Sequence, residues 1–416
     1  MGLHRLWSLL RIQRAPAVAR RPVRLVVVQG PQQLLAASAV IEYQRAVEGP
    51  ATGPIIAVIG HLYAPPAQDA KMKAVCYEIV ARGGYERMID VLDIDLPLRT
   101  GKLSFDCAVR LLRERIGDVP IEVVYVARNG QSLNEMGLAV AGEGCRRITY
   151  GDALGFVESD NSCGEQLYNP SGYASIREAW LTTPVECQPG LFDKLNIVTV
   201  PAEYYLDKLR LLCSEVEALG DLKRHCQART SGAPVTLCLT SNLTEATYTA
   251  TVEDEIGMYA MTARPLLDKG AVVIIKGHPR ESRQSHALAE RLTSWGIRAS
   301  ALDLGSEWPG ELLSHFLNLE KVLSFCSATG IILAWSQRRP TQVGFDSEAM
   351  RALFSEEQIE TSSRHFRMFK LLVRQAFARQ FALIRYNDPE DPSHGFEDGS
   401  QLLEPDEITS GAVPRR

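Results

Sequence analysis

Short runs of branched aliphatic residues recur along this chain, separated by stretches of helical periodicity, and each run stops at a small or polar residue. "VRLVVVQG", "PIIAVIGH", "IEVVYVAR", "VTLCLTSN", "VVIIKGHP" and "KVLSFCSA" all follow this pattern. Near-continuous apolar runs of this length read as strands covered on both faces. Helical segments lie between them: one starts near Gln32 with Leu34, Ala37 and Ile41 on one face, one spans residues 67–82, and "DCAVRLLRERI" makes another. Parallel strands need a crossover, and strands alternating with helices supply it. The chain is therefore expected to be α/β.

The alternation runs once, pauses and restarts. A chain of 416 residues exceeds what one core fills, so two domains are expected. The polar stretch "KRHCQARTSGAP" marks the pause and places the division near residues 215–233. Two successive Rossmann-like halves follow, 24–215 and 233–386, facing a central cleft. They are flanked by a basic arm, 1–23, and an acidic tail, 387–416, too poor in apolar residues to order itself.

Composition narrows the classes. A net charge of −5 and a pI near 6.0 give no broad basic face, so no nucleic-acid partner is expected. Nine cysteines stand singly with no C-x-x-C pair, which argues against a zinc site or disulfide framework and for a reducing compartment. No apolar run reaches the ~20 residues that span a bilayer. The first 24 residues carry six arginines, with Leu3, Leu6, Trp7 and Leu10 on one helical face. A surface helix drawn to anionic lipid, a disordered arm and a start codon placed too far upstream all fit this segment. The expected location is the cytoplasm, with peripheral contact at the inner face of the membrane left open.

In open α/β sheets, ligands bind outside the carboxyl ends of the strands. Four stretches are candidates for chemistry, three after strands and one, "WPGELL", at a helix start. In "KGHPRES", Lys276, Gly277, His278, Pro279 and Arg280 follow a strand, and a helix opening near Glu281 would add the partial positive charge of its amides. This is either a polar turn or an anion site in which His278 donates to a departing phosphate. In "SFCSATG", Ser324, Ser327 and Thr329 sit at a strand-to-helix turn; they form a phosphate cradle or cap a helix. In "WPGELL", Glu311 suits the two hydroxyls of a ribose and suits a helix dipole equally. In "ITYGDALGF", Asp152 lies between Gly151 and Gly155, either as a turn aspartate or as a general base for a sugar hydroxyl. A rival pair, Asp93 and Asp95 in "VLDIDLP", has the acid-x-acid spacing of a divalent-metal site, but without a second ligand cluster it reads better as a strand-end turn.

In this order the four stretches resemble the bacterial sialyltransferase and polysialyltransferase group, which has the GT-B fold. His278-Pro279 matches that group's His-Pro motif, Pro309-Gly310-Glu311 its Pro-x-Glu segment, and Ser327 with Thr329 its hydroxyl motif. "QGPQQLL", with Gly30 and Gln32, resembles the turn after the first strand. Gly151-Asp152-Ala153 departs from the group's acidic motif, with one carboxylate and Ala153 in place of glycine; Ala328 interrupts the serine pair. The resemblance implies an inverting transferase that needs no metal or other cofactor and uses a CMP-linked nonulosonic acid, most often sialic acid, with a glycan or glycolipid acceptor in capsule or lipopolysaccharide synthesis. It implies Asp152 as base and His278 as leaving-group residue. Lys276, Gly277, Pro279, Arg280, Glu311, Ser327 and Thr329 would line the donor site, and Gly30, Gln32, Gly151 and Gly155 the acceptor side. A CMP-Kdo-type transferase, a sugar-nucleotide epimerase and a non-catalytic sugar-nucleotide-binding protein remain as alternatives.

Overall fold

The protein is described by a computed structural model that covers residues 21–50, 53–62, 64–127, 132–151, 175–183, 196–241, 244, 251–279, 283–302, 305, 307–325, 327–337, 341–343, 384–387 and 396–398. The basic arm lies almost wholly outside these residues. No helix among them is long and apolar enough to cross a membrane.

The aliphatic runs become strands. β1 (Val23–Val28), β2 (Ile55–Ile59), β3 (Arg87–Asp90), β4 (Ile121–Val126), β5 (Arg146–Gly151), β6 (Glu178–Leu181) and β7 (Asn196–Thr199) form one sheet in the order β3-β2-β1-β4-β5-β6-β7. Every pairing in it is parallel. α1 (Pro31–Glu48), α2 (Pro66–Arg82), α3 (Leu92–Arg99), α4 (Phe105–Ile116) and α5 (Ser132–Ala141) connect its first strands. Burial on both faces explains the composition: all six residues of β1 and all five of β2 are buried. Each fully buried Val, Leu or Ile contributes about 1.5–3 kcal/mol of transfer free energy.

The second sheet repeats the plan. β8 (Val235–Leu239), β9 (Val272–Lys276), β10 (Arg298–Ala301), β11 (Leu319–Ser324), β12 (Thr341–Val343), β13 (Ile384–Asn387) and β14 (Phe396–Asp398) lie in the order β10-β9-β8-β11-β12-β13-β14. Only the last pairing is antiparallel. α8 (Val252–Ala263), α9 (Gln284–Ser294) and α10 (Ala328–Gln337) accompany it. Both sheets reverse strand order beside their first strand, at β1/β4 and at β8/β11, which are the two topological switch points.

Between the sheets run α6 (Ala202–Glu215) and α7 (Glu217–Thr230). A continuous apolar cluster joins Leu34 of α1, Tyr205, Leu209 and Leu212 of α6, Leu312 of a 3-10 turn (Gly310–His315) and Phe316 just after it, and Ile332 of α10. α6 thus packs against elements of both halves.

Several local expectations change. "KRHCQARTSGAP" is largely helix: Leu219, Leu222, Cys226 and Thr230 are buried on one face of α7, and the polar residues occupy the others. α8 stops at Ala263, before a 3-10 turn over Arg264–Leu266 that contains Pro265. The helix after "KGHP" opens at Gln284, not near Glu281. Asp93 and Asp95 lie in α3, not in a turn. The segment taken as tail from residue 387 contributes β14, paired with β13 through backbone groups, which require no apolar side chains.

Candidate functional site

β9 delivers Lys276 and Gly277 to its carboxyl end in a buried position, while His278 and Pro279 emerge partly exposed. Two bonds hold this turn against the end of β8. Thr240 N donates to Lys276 O at 3.2 Å, and His278 N donates to Thr240 Oγ1 at 3.1 Å. Lys276 Nζ, largely buried, donates to Gly277 O at 3.3 Å. Arg280 lies outside the described residues.

The hydroxyl motif opens α10 beside this turn. Ser324, at the end of β11, clasps the loop: its Oγ donates to Ser327 O at 3.0 Å and accepts from Ser327 N at 3.1 Å. Gly330 is required here, because a Cβ would lie 2.4 Å from Ser324 Cβ and 2.5 Å from its Oγ. Thr329 is buried. The turn brings a threonine methyl and backbone amides to the switch point.

The Pro-x-Glu segment closes the group. Pro309 precedes the 3-10 turn, so Glu311 lies in its first turn. Gly310 is the meeting point: a Cβ there would stand 2.8 Å from Thr329 Cγ2, 3.2 Å from Lys276 Cδ and 3.4 Å from Leu239 Cδ2. Three motifs separated by tens of residues therefore converge around one α-carbon.

Glu311 is fully buried, and its Oε1 accepts from Gln32 Nε2 at 3.0 Å. Gln32 sits in the first turn of α1, just beyond the first sheet's switch point. The bond therefore joins the switch points of the two sheets. In the first half, Gly151 ends β5 with φ +137°, a conformation that favours glycine. Its carbonyl accepts from Thr182 N at 2.9 Å and Thr182 Oγ1 at 3.1 Å, which fixes the backbone entering Asp152. Asp152 and Gly155 themselves lie outside the described residues. Gly30 is buried at the foot of α1.

The acid-x-acid pair is engaged in ion pairs. Asp93 meets Arg115 in a bidentate contact that holds its carboxyl below the usual range. Asp95, fully buried, accepts from Arg99 Nε at 2.8 Å, Ser132 Oγ at 2.9 Å and His61 N at 2.9 Å. Burial pushes its carboxyl upward and lowers the Arg99 guanidinium to about 10.

The motifs did not mark Thr240 and Ser241, which follow β8 in "LTSNLT". The switch-point rule applied to the second sheet is the signal that would have found them.

No family model matches the chain, and no curated protein matches it in sequence. Solved structures do. The S. aureus MnaA–UDP structure superposes with a TM-score of 0.50 at 10% identity, covering 84% of this chain and 90% of that one. The Neisseria meningitidis UDP-GlcNAc 2-epimerase bound to UDP-GlcNAc gives 0.50 at 12% identity, covering 89% and 96%. The E. coli heptosyltransferase WaaC with ADP is more distant, with a TM-score of 0.38 at 12% identity over 77% and 87%. At these identities the likeness speaks for architecture, and with the two sheets of identical strand order it shows that the chain has the GT-B fold, two Rossmann-like domains in succession.

Proposed function

We propose that this protein is an inverting glycosyltransferase that moves a nonulosonic acid, sialic acid or a close analogue, from a CMP-linked donor to a glycan or glycolipid acceptor, within a donor half 233–386 and an acceptor half 24–215. The observation that carries this reading is the convergence at Gly310, where the Lys276, Thr329 and Glu311 segments meet at the second switch point. The GT-B fold supports a sugar nucleotide as the class of ligand, since the S. aureus MnaA structure of the same architecture holds UDP. Fold alone does not choose the reaction; the site residues do.

CMP departs as a monophosphate. The charge that develops on its phosphate oxygen is within reach of amide, hydroxyl and imidazole donors. In this reading His278 donates its proton to the phosphate oxygen as the anomeric C–O bond breaks, and Ser327, Thr329 and Lys276 stabilise the departing group. The acceptor hydroxyl attacks the anomeric carbon from the opposite face. Asp152, reached from the rigid end of β5, takes the hydroxyl proton. One displacement inverts the centre. Glu311 holds the ribose hydroxyls once they replace the amide of Gln32.

The test is CMP release from CMP-sialic acid with an acceptor glycan, with and without a chelator, and with UDP-GlcNAc in a parallel arm. Chelator-insensitive transfer, reduced about 100-fold or more in His278→Ala, is the expected result. Absence of CMP binding sinks the proposal, and conversion of UDP-GlcNAc redirects it to the epimerase class.

A further inference from the structure

One buried network lies behind the donor turns, centred on Glu255 and Tyr259, which belong to none of the four motifs. Glu255, in the first turn of α8, is fully buried. Its Oε2 accepts from Thr244 N at 2.9 Å and Thr244 Oγ1 at 2.6 Å, and its Oε1 accepts from Tyr259 OH at 2.7 Å. The Tyr259 hydroxyl oxygen also accepts from Ser241 N at 2.9 Å, and it lies 2.9 Å from Ser241 O. Ser241 Oγ in turn donates to Phe325 O, and the Tyr259 and Phe325 rings pack at 4.7 Å. Thr240, the residue before Ser241, accepts the His278 backbone amide.

Followed outward, one carboxylate reaches both loops of the site. Through Tyr259 and Ser241 it sets the loop Ser324–Ser327 that opens α10, and through the same turn it sets Thr240 and hence His278. A buried carboxylate is costly unless its lone pairs are filled, and here three donors fill them. Helix geometry explains the pairing: residues 255 and 259 are four apart and share a face.

We infer that Glu255 and Tyr259 are positioning residues for the proposed donor site, holding the β8 turn so that His278 and the hydroxyl motif present a preorganised seat for the nucleotide phosphate. Neither side chain touches donor in this assignment; both act through Ser241 and Thr240. The inference rests on the CMP-dependent reading above.

Tyr259→Phe tests it with little disturbance, because the ring against Phe325 is retained and only the hydroxyl is lost. Glu255→Gln keeps the shape and alters the charge. CMP affinity by calorimetry, kcat, donor and acceptor KM, and thermal midpoint are measured on the full chain. The expected result is CMP binding weakened fivefold or more in Tyr259→Phe, a fall in kcat exceeding any change in acceptor KM, and a thermal midpoint within a few degrees of wild type. If Tyr259→Phe folds and binds CMP as wild type does, with unchanged kcat, the inference is overturned while the CMP reading stands. If wild type itself fails to bind CMP, the reading of function fails first. Should Glu255→Gln not fold, Tyr259→Phe decides alone.

Discussion

The two sheets share a strand order, yet the turns at their carboxyl ends are held by different chemistry. In the first half the scaffold is ionic. Lys73 lies 2.9 Å from Asp90 Oδ2 and 3.3 Å from Asp69 Oδ2, while Asp69 Oδ1 accepts from Leu62 N at 2.8 Å. Asp95 gathers Arg99, Ser132 and the His61 amide, so closely that a Cβ on Gly60 would stand 2.5 Å from its Oδ2. In the second half the turns are set mainly by hydroxyls: Thr240 on His278, Ser324 on Ser327, and Tyr259 on Ser241. An ionic scaffold neutralises its own cations. In the second half the bonds that set these turns run to neutral groups, with the buried carboxylate of Glu255 behind them. The same strand order thus carries one half whose turns are tied by ion pairs and one whose turns are tied by hydroxyls.

The largest effect should come from breaking the ionic side. Asp95→Ala leaves Arg99, Ser132 and a backbone amide without their shared acceptor, and an unfolding loss of about 3 kcal/mol is expected in urea titration. Thr240→Val, on the hydroxyl side, removes the acceptor of the His278 amide and the 3.5 Å donation to Lys276 O, and should cost only about 1–2 kcal/mol in the same titration, while lowering turnover more than stability. Equal losses in the two variants would erase the contrast.

Acid should separate the halves more gently. Arg146 bonds Glu48 and Glu178 and holds both carboxyls below the ordinary range. A depressed folded pKa contributes stability above the unfolded value, about 4.3 for glutamate, and loses it as pH falls through the folded value. Asp95, raised by burial, works in the opposite sense and gains as pH falls through its own higher value. Hydrogen-exchange protection factors between pH 5 and pH 3 should therefore drop in β5 and β6 before β8 and β9. Arg146→Met should remove that order.

The smallest expected effect sharpens the contact between the halves. Gln32→Leu deletes the Gln32 amide that donates to Glu311 and should cost about 1 kcal/mol or less in stability. If ribose hydroxyls replace that amide in the nucleotide complex, the variant's CMP affinity stays within a fewfold of wild type, measured by calorimetry. A large loss of CMP binding would instead make Gln32 part of the nucleotide seat.

Much of this plan was legible along the chain. β1, β2, β4, β8 and β9 were readable because a strand covered on both faces must be apolar almost throughout, a property local to the strand itself. The turn residues Lys276, His278, Ser327 and Thr329 stood out for the same reason, as polar groups directly after such runs. The break between α6 and α7 at Val216, where the backbone turns extended, was not legible, since no Gly or Pro marks it. The role of Glu255 was equally hidden, because an acid in a helix's first turn reads as dipole compensation on the surface.

What the string of residues dictates, then, is class and inventory: α/β, two successive units, and a short set of polar groups at strand ends. Folding alone places Gln32 against Glu311, 279 residues away, seats Gly310 between Lys276 and Thr329, and buries Glu255 under the β8 turn. Those contacts depend on how whole helices and sheets stack. Stacking is settled by the summed packing of many side chains, so no single segment carries the information.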